Sequence, residues 1–433
     1  MNIRFSLLLL VAWPASLWAS VADFSPAKPV IPSRVFNLRD FGRAPTGNAS
    51  TTEVFRAALA AVDKAGGGTL VIPAGDYSLG PIDLCSNLDF HLEAGAHLRF
   101  SQNPADYRLP TAAKYRPMIW AQNRHDVVVS GSGTLDGQGQ PWWPVARKAY
   151  VELRAGRPPG EGIVRPRLLV MDYCERVRLE GVTLLDSPQI QFLASHCNDI
   201  EVVRIVAIAP AGSPNTAGVL TSGSSRMVIA GCRFDVGDDG IAINGGSNDP
   251  VEDIRVTDCT FLHGHGCSIG SDTRGGIRNM LVSHCVFRGT EIGIRLKSDR
   301  GRGGLVENLT YSDLTMENVG RAILLSSYYP ENTGPKPGHD DQAKPVTDQT
   351  PRWRGLTIRR LTATGGTKDA GLIIGLPEAP ATDLTLEDVR IDAPLGLRIG
   401  CAKNVTLRNA QVTAGAGEAF IVEATVDGLV RRN

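Results

Sequence analysis

The sequence carries no surplus of charge: 45 Lys and Arg offset 45 Asp and Glu. That balance argues against a basic surface for nucleic acid. It has no CxxC pair, the spacing most common among zinc ligands. Beyond residue 22 there is no apolar run long enough to cross a bilayer, so no membrane partner is expected. Nothing reads as a linker between domains. Long amphipathic stretches of the kind paired helical repeats require are also missing.

What the chain has is one pattern repeated: apolar, x, apolar, x, x, apolar, x, apolar. It begins at Val177, Ile200, Met227, Ile254, Met280, Leu309, Leu356 and Leu384, with a weaker copy at Val405. The period is about 25 residues, broken once by an insertion after Leu309. Short runs, β-branched residues and 47 glycines fit strands and turns. The prediction is an all-β, single-domain solenoid in which each coil buries its apolar side against its neighbours. In such a fold, residues at equivalent offsets stack in columns about 4.8 Å apart.

Residues 1–22 read as a signal peptide, with Arg4, an apolar run from Leu7 to Trp13, and small residues at Ser20 and Ala22. The protein is therefore expected to be secreted or periplasmic. Eight cysteines in an exported chain invite disulfides. Cys232, Cys259 and Cys285 instead take the same apolar slot of three consecutive repeats, which predicts a column of buried thiols.

The solenoid spans residues 23–433. Its N-terminal cap falls at about 35–75, where Ser50 and Glu53 form a capping box ahead of a helical stripe of Phe55, Leu59 and Val62. Gly66, Gly67 and Gly68 end that helix. A loop insertion is expected at about 328–353, and residues 141–165 also read as a long loop.

A second alignment carries the chemistry. Gly218, Gly240, Gly266 and Gly293 each open an apolar-x-apolar strand one coil apart. The residues before them are Ala217, Asp239, His265 and Ile292. Alternation along a strand turns Arg295 and Lys297 outward. Asp238, Asp239, His265, Arg295 and Lys297 are thus predicted to share one outer face. Singly, an Asp-Asp pair is a turn motif, a histidine is a surface residue, and Arg-x-Lys is a solvated strand. Together they fit glycoside cleavage, in which one carboxyl protonates the leaving oxygen and another activates water. Adjacent carboxylates repel, which favours a proton on one of the two. An Arg-x-Lys pair can grip an acidic sugar.

At these residues the chain resembles the polygalacturonase-like glycoside hydrolases of family 28. The likeness extends over FNLRDFG at 36–42, GGTLVIPAG at 67–75 and GTLDGQG at 133–139, with Trp142 and Trp143. It continues through Asn215-Thr216, Gly237-Asp238-Asp239, Gly264-His265-Gly266, Ile269-Gly270-Ser271 and Arg295-Leu296-Lys297. The resemblance implies a right-handed parallel β-helix. It implies inverting hydrolysis of α-1,4 bonds in pectic galacturonan, an acidic plant polysaccharide, by a monomer with no cofactor and no metal. Asp238 would be the acid, Asp239 the base and His265 their assistant. Asn215, Arg295, Lys297 and Tyr328 or Tyr329 would bind substrate.

The chain departs from the family at one place. The family reads Asn-Thr-Asp where this sequence reads Asn215-Thr216-Ala217, and Leu220 replaces a further aspartate. Residues 211–226 hold no Asp or Glu. The resemblance then leaves three expectations: weakened hydrolysis, with Ala217→Asp raising it; action on another pectic polymer such as rhamnogalacturonan; or an inactive pectin-binding protein. A pectate lyase would need a calcium-binding acidic cluster, and a structural adhesin would need no polar column.

Overall fold

The computed structural model describes residues 24–42, 51–109, 115–158, 163–246, 249–330 and 341–432. The signal-peptide segment, Ser50 and residues 331–340 lie outside them. The described residues form a right-handed parallel β-helix whose strands fall into a 22-stranded and a 12-stranded sheet. All their pairings are parallel, because each coil returns to start beside its own beginning.

Every repeat start pairs with the next. Val177, Ile200, Met227, Ile254 and Met280 align in register. Leu309, Leu356, Leu384 and Val405 continue the column. The register therefore continues across the insertion after Leu309. Inside, Phe234, Phe261 and Phe287 stack at 5.3 and 4.6 Å between ring centroids. All eight cysteines are free and buried, as expected of a thiol column.

The residue just before each repeat start lies in the left-handed region, as at Asp199, Asp253, Asn279, Asn308, Asp383 and Asn404. Short polar side chains tolerate that conformation, and Gly355 supplies it ahead of Leu356. The amides also link coils: Asn279 Nδ2 donates to Asp253 Oδ1 at 3.2 Å, and Asn308 Nδ2 to Asn279 Oδ1 at 3.3 Å.

Helix α1 (Thr52–Lys64) covers the N-terminal end of the solenoid. Phe55 packs edge-on against Tyr77 at 5.6 Å, which closes a core that would otherwise meet water. The N-cap is Thr51 and not Ser50. Thr51 Oγ1 donates to the Ser78 carbonyl at 3.0 Å, so it ties helix to coil instead of capping the helix.

Residues Trp142–Arg154, expected as loop, form a second helix, α2. Its buried stripe is Trp142, Trp143, Ala146 and Ala149. Pro144 falls in the first turn, where its missing N–H has no helical partner to lose. A single helical stripe inserted between β repeats has no second copy to reveal it.

Candidate active site

Four strands of the 12-stranded sheet build the site: β1 (Val219–Ser222), β2 (Asp239–Asn244), β3 (His265–Ile269) and β4 (Ile292–Lys297). Val219, Ile241, Cys267 and Ile294 align across them, so the preceding glycines form a column. Glycine is needed there because the phenylalanine stack lies against the backbone. A Cβ on Gly240 would meet Phe261 at 2.5 Å, and one on Gly266 would meet Phe287 at the same distance.

The outward column runs Leu220, Ala242, Ser268, Arg295. Asp239 pairs with His265 in register. The five predicted residues thus line one cleft of about 990 Å³, together with Asn215, Ala217, Leu220, Arg302 and Tyr329.

Asp239 is the best-held carboxylate. Arg295 Nη1 donates to its Oδ1 at 2.8 Å, and Lys297 Nζ to its Oδ2 at 2.9 Å. Ser268 Oγ donates to Oδ1 as well. Burial opposes its charge, but Lys297, Arg295 and His265 outweigh burial and hold the carboxyl well below the usual range. Arg295 and Lys297 do turn outward from the sheet, yet they are 8% and 5% exposed and spend much of their charge on Asp239. A carboxylate accepts about four hydrogen bonds, so Oδ2 keeps room for a water.

Asp238 stands further into the cleft, with its side chain 24% exposed. Its Oδ1 accepts from the Asp239 amide at 2.8 Å, and its Oδ2 from Asn215 Nδ2 at 3.3 Å. His265 Nδ1 lies 3.3 Å from both Asp238 Oδ1 and Asp239 Oδ1. Its Nε2 faces Glu291 at 3.6 Å. Burial lowers the histidine pKa, but hydrogen bonds to Asp238, Asp239 and Glu291 prevail and raise it to about 10. Arg295 Nη1, 2.9 Å from the same Nδ1, opposes this, but the oxygens of Asp238, Asp239 and Glu291 outweigh it.

His265 is therefore imidazolium at neutral pH. Its contribution to stability is complete below 6.5 and fades as pH rises toward about 10. An NMR titration of the His265 ring is expected to show no midpoint near 6.5; a midpoint there would show that the carboxylates do not hold the proton.

Asp238, Asp239 and His265 each place one donor atom within 4.8 Å of the others, close enough to chelate a cation. Arg295 and Lys297 already neutralise Asp239, so a metal would have to displace them.

Of the two tyrosines, Tyr329 lines the cleft, its ring 5.8 Å from Lys297 Nζ and 5.5 Å from the Arg302 guanidinium. The Tyr328 hydroxyl donates to Asp341 Oδ2 at 2.9 Å, and its ring packs on a separate apolar cluster with Leu324 and Leu372.

Sequence reasoning missed Arg165, which is 3% exposed. Its Nε donates to the Pro188 carbonyl at 2.8 Å, and its Nη2 to the Pro214 carbonyl at 2.9 Å and Asn215 Oδ1 at 3.2 Å. With its oxygen so engaged, the Asn215 amide presents Nδ2 to Asp238. No repeat or motif marks Arg165, because it follows α2 in an inserted segment.

A parallel β-helix bearing a carboxylate pair, an imidazolium and an Arg-x-Lys strand in one cleft has the make-up of a glycosidase. The model of glycosyl hydrolases family 28 matches residues 64–415, and the chain belongs to that family. It is 28% identical over 374 residues to a polygalacturonase of Chamaecyparis obtusa, covering 85% of this chain and 69% of that one. It is 27% identical over 375 residues to an exopolygalacturonase of Zea mays, covering 84% and 85%. Among solved structures, a hyperthermoactive exopolygalacturonase from Thermotoga maritima superposes with a TM-score of 0.74 at 26% identity, covering 89% and 94%.

Proposed function

We propose that the protein is a pectin-degrading hydrolase that cleaves α-1,4-galacturonosidic bonds. The observation that carries this reading is the convergence of Asp238, Asp239, His265, Arg295 and Lys297 in one cleft. Asp239 is committed to charge by Lys297 and Arg295, so Asp238 is left to protonate the leaving oxygen. His265, cationic between them, stabilises the charge that Asp238 acquires on giving up its proton. A water on Asp239 Oδ2 attacks the anomeric carbon, its proton passing to that carboxylate. On this reading Asp239 keeps its oxygens on Lys297, Arg295 and Ser268 and acts through the water, the inverting course.

Substrate carboxylates are met by the remaining donors of Lys297 and Arg295 on the cleft side. Tyr329 and Asn215 complete the contacts. The exported leader and a monomeric state belong to the same reading. Among the described residues no helix is long and apolar enough to cross a membrane.

The test is release of reducing ends from polygalacturonate and rhamnogalacturonan, with ultraviolet absorbance followed in parallel. Reducing ends without new absorbance support hydrolysis. Absorbing unsaturated products would mean a lyase, and binding without release would mean an inactive binding protein.

The surroundings of Ala217 bear on the Ala217→Asp variant. Ala217 is 5% exposed and packs with Val170, Ile190 and Leu193. An Ala217→Asp carboxylate there meets apolar carbon on one side and the like charge of Asp239, one coil on, on the other. The expected result is a loss of stability of about 1–3 kcal/mol with no gain in turnover, read from denaturant unfolding beside kinetics.

A further inference from the structure

The cleft has two chemically different halves. Around β2, β3 and β4 it is charged. One coil earlier it is apolar: Ile190, Ala217 and Leu220 line the same cleft as Asp238 and Lys297. Val170 and Leu193 lie behind them in the Leu220 column. Residues 212–222 contain no ionisable side chain. Facing this floor, α2 holds Val151 and Leu153 into the cleft, 61% and 50% exposed. Large apolar side chains left open on a helix wall, opposite an apolar floor, need a partner that covers both.

We propose that this coil is a subsite for an uncharged sugar unit bearing a methyl group, next to the galacturonate unit held at Arg295 and Lys297. The proposal rests on the hydrolase reading above and names its substrate class. A galacturonate carboxylate set on the floor would lose water and gain no donor from it, which is costly. Arg147 and Arg154 stand on α2 at the rim, where solvent makes an ion pair worth little. Arg147 is also drawn aside, its Nε donating to the Gly212 carbonyl at 3.4 Å. A methyl group, by contrast, gains about 0.8 kcal/mol by leaving water, close to a fourfold gain in affinity. Two sources present that chemistry: a methyl-esterified galacturonate and a 6-deoxy sugar such as rhamnose.

The experiment measures binding by calorimetry with an Asp238→Asn variant, in which turnover is slowed about 10²–10⁴-fold. Three oligomers of equal length are compared: oligogalacturonate, its methyl ester, and an alternating rhamnose–galacturonate chain. At least one methyl-bearing oligomer is expected to bind about fourfold or more tighter than oligogalacturonate. Which one does identifies the source. Leu220→Asn, added to the same variant, is expected to bring the ratio toward one, and Leu220→Ala to reduce it in part. Oligogalacturonate binding tightest, or a ratio indifferent to Leu220, would overturn the proposal. Failure of the hydrolase reading shows separately, as wild-type protein releasing no reducing ends from any of the three polymers.

Discussion

Asp238→Asn lowers kcat on the preferred pectic polymer by about 10²–10⁴-fold, the usual worth of a positioned general acid. The substituted amide has the shape of the carboxyl and can still accept from the Asp239 backbone amide. It cannot deliver a proton to a leaving oxygen. Because Asp239 is held ionised by Lys297 and Arg295, it cannot take over. KM is expected to change little, since the amide keeps the size and shape of the carboxyl. Thermal unfolding of the variant supplies the control: the side chain is partly exposed, and its loss should leave the midpoint near that of the wild type. A kcat within a factor of three of wild type would remove Asp238 from the acid role.

Lys297→Met costs about 3–5 kcal/mol of stability, the usual penalty for stranding one member of a buried ion pair. Both side chains are 7% exposed, so water replaces only part of what the ammonium gives Asp239. Arg295 remains on Asp239 Oδ1, which places the expected loss toward the lower end of that range. Adding Asp239→Asn to Lys297→Met recovers part of the loss, because no uncompensated charge is then left in the sheet. Denaturant unfolding of the two single variants and the double variant gives the coupling directly.

The pH dependence has a definite sign. The folded pKa of Asp239 is depressed, so its contribution is present above the unfolded value of 3.8 and is lost only as pH falls below it. If the double variant lost the sum of what the two single variants lose, the pair would not be coupled.

These two effects come from the same cause. The three coils that carry β2, β3 and β4 bring two cations and a histidine to one carboxylate. That carboxylate becomes a good holder of charge and a modest acceptor of protons. On the proposed reading, with Ala217 in place of a second carboxylate, water activation would rest on Asp239 alone. The protein's rate is therefore expected to depend heavily on the acid step, which is why Asp238 carries the larger kinetic prediction.

Much of this was readable from residue order. The starts from Val177 to Val405 pair one to the next in the solenoid, and the glycines before Val219, Ile241, Cys267 and Ile294 line up as their spacing requires. The turn residues could have been read too: the Asp, Asn or Gly ahead of most starts is a left-handed position, a signal present in the sequence and unused. Tyr328 and Tyr329 were not separable, since neighbouring residues in a turn can face opposite ways.

The amino-acid order by itself determined the coil period, the register and the stacking of Asp239 on His265, because a solenoid converts sequence offset into position through contacts between adjacent coils only. The tertiary structure alone decided that Arg165 braces Asn215, that α2 walls the cleft, that Asp239 is taken up by Lys297, and that Ala217 sits in an apolar shelf. Those outcomes depend on inserted segments and on side-chain directions, neither of which follows the repeat.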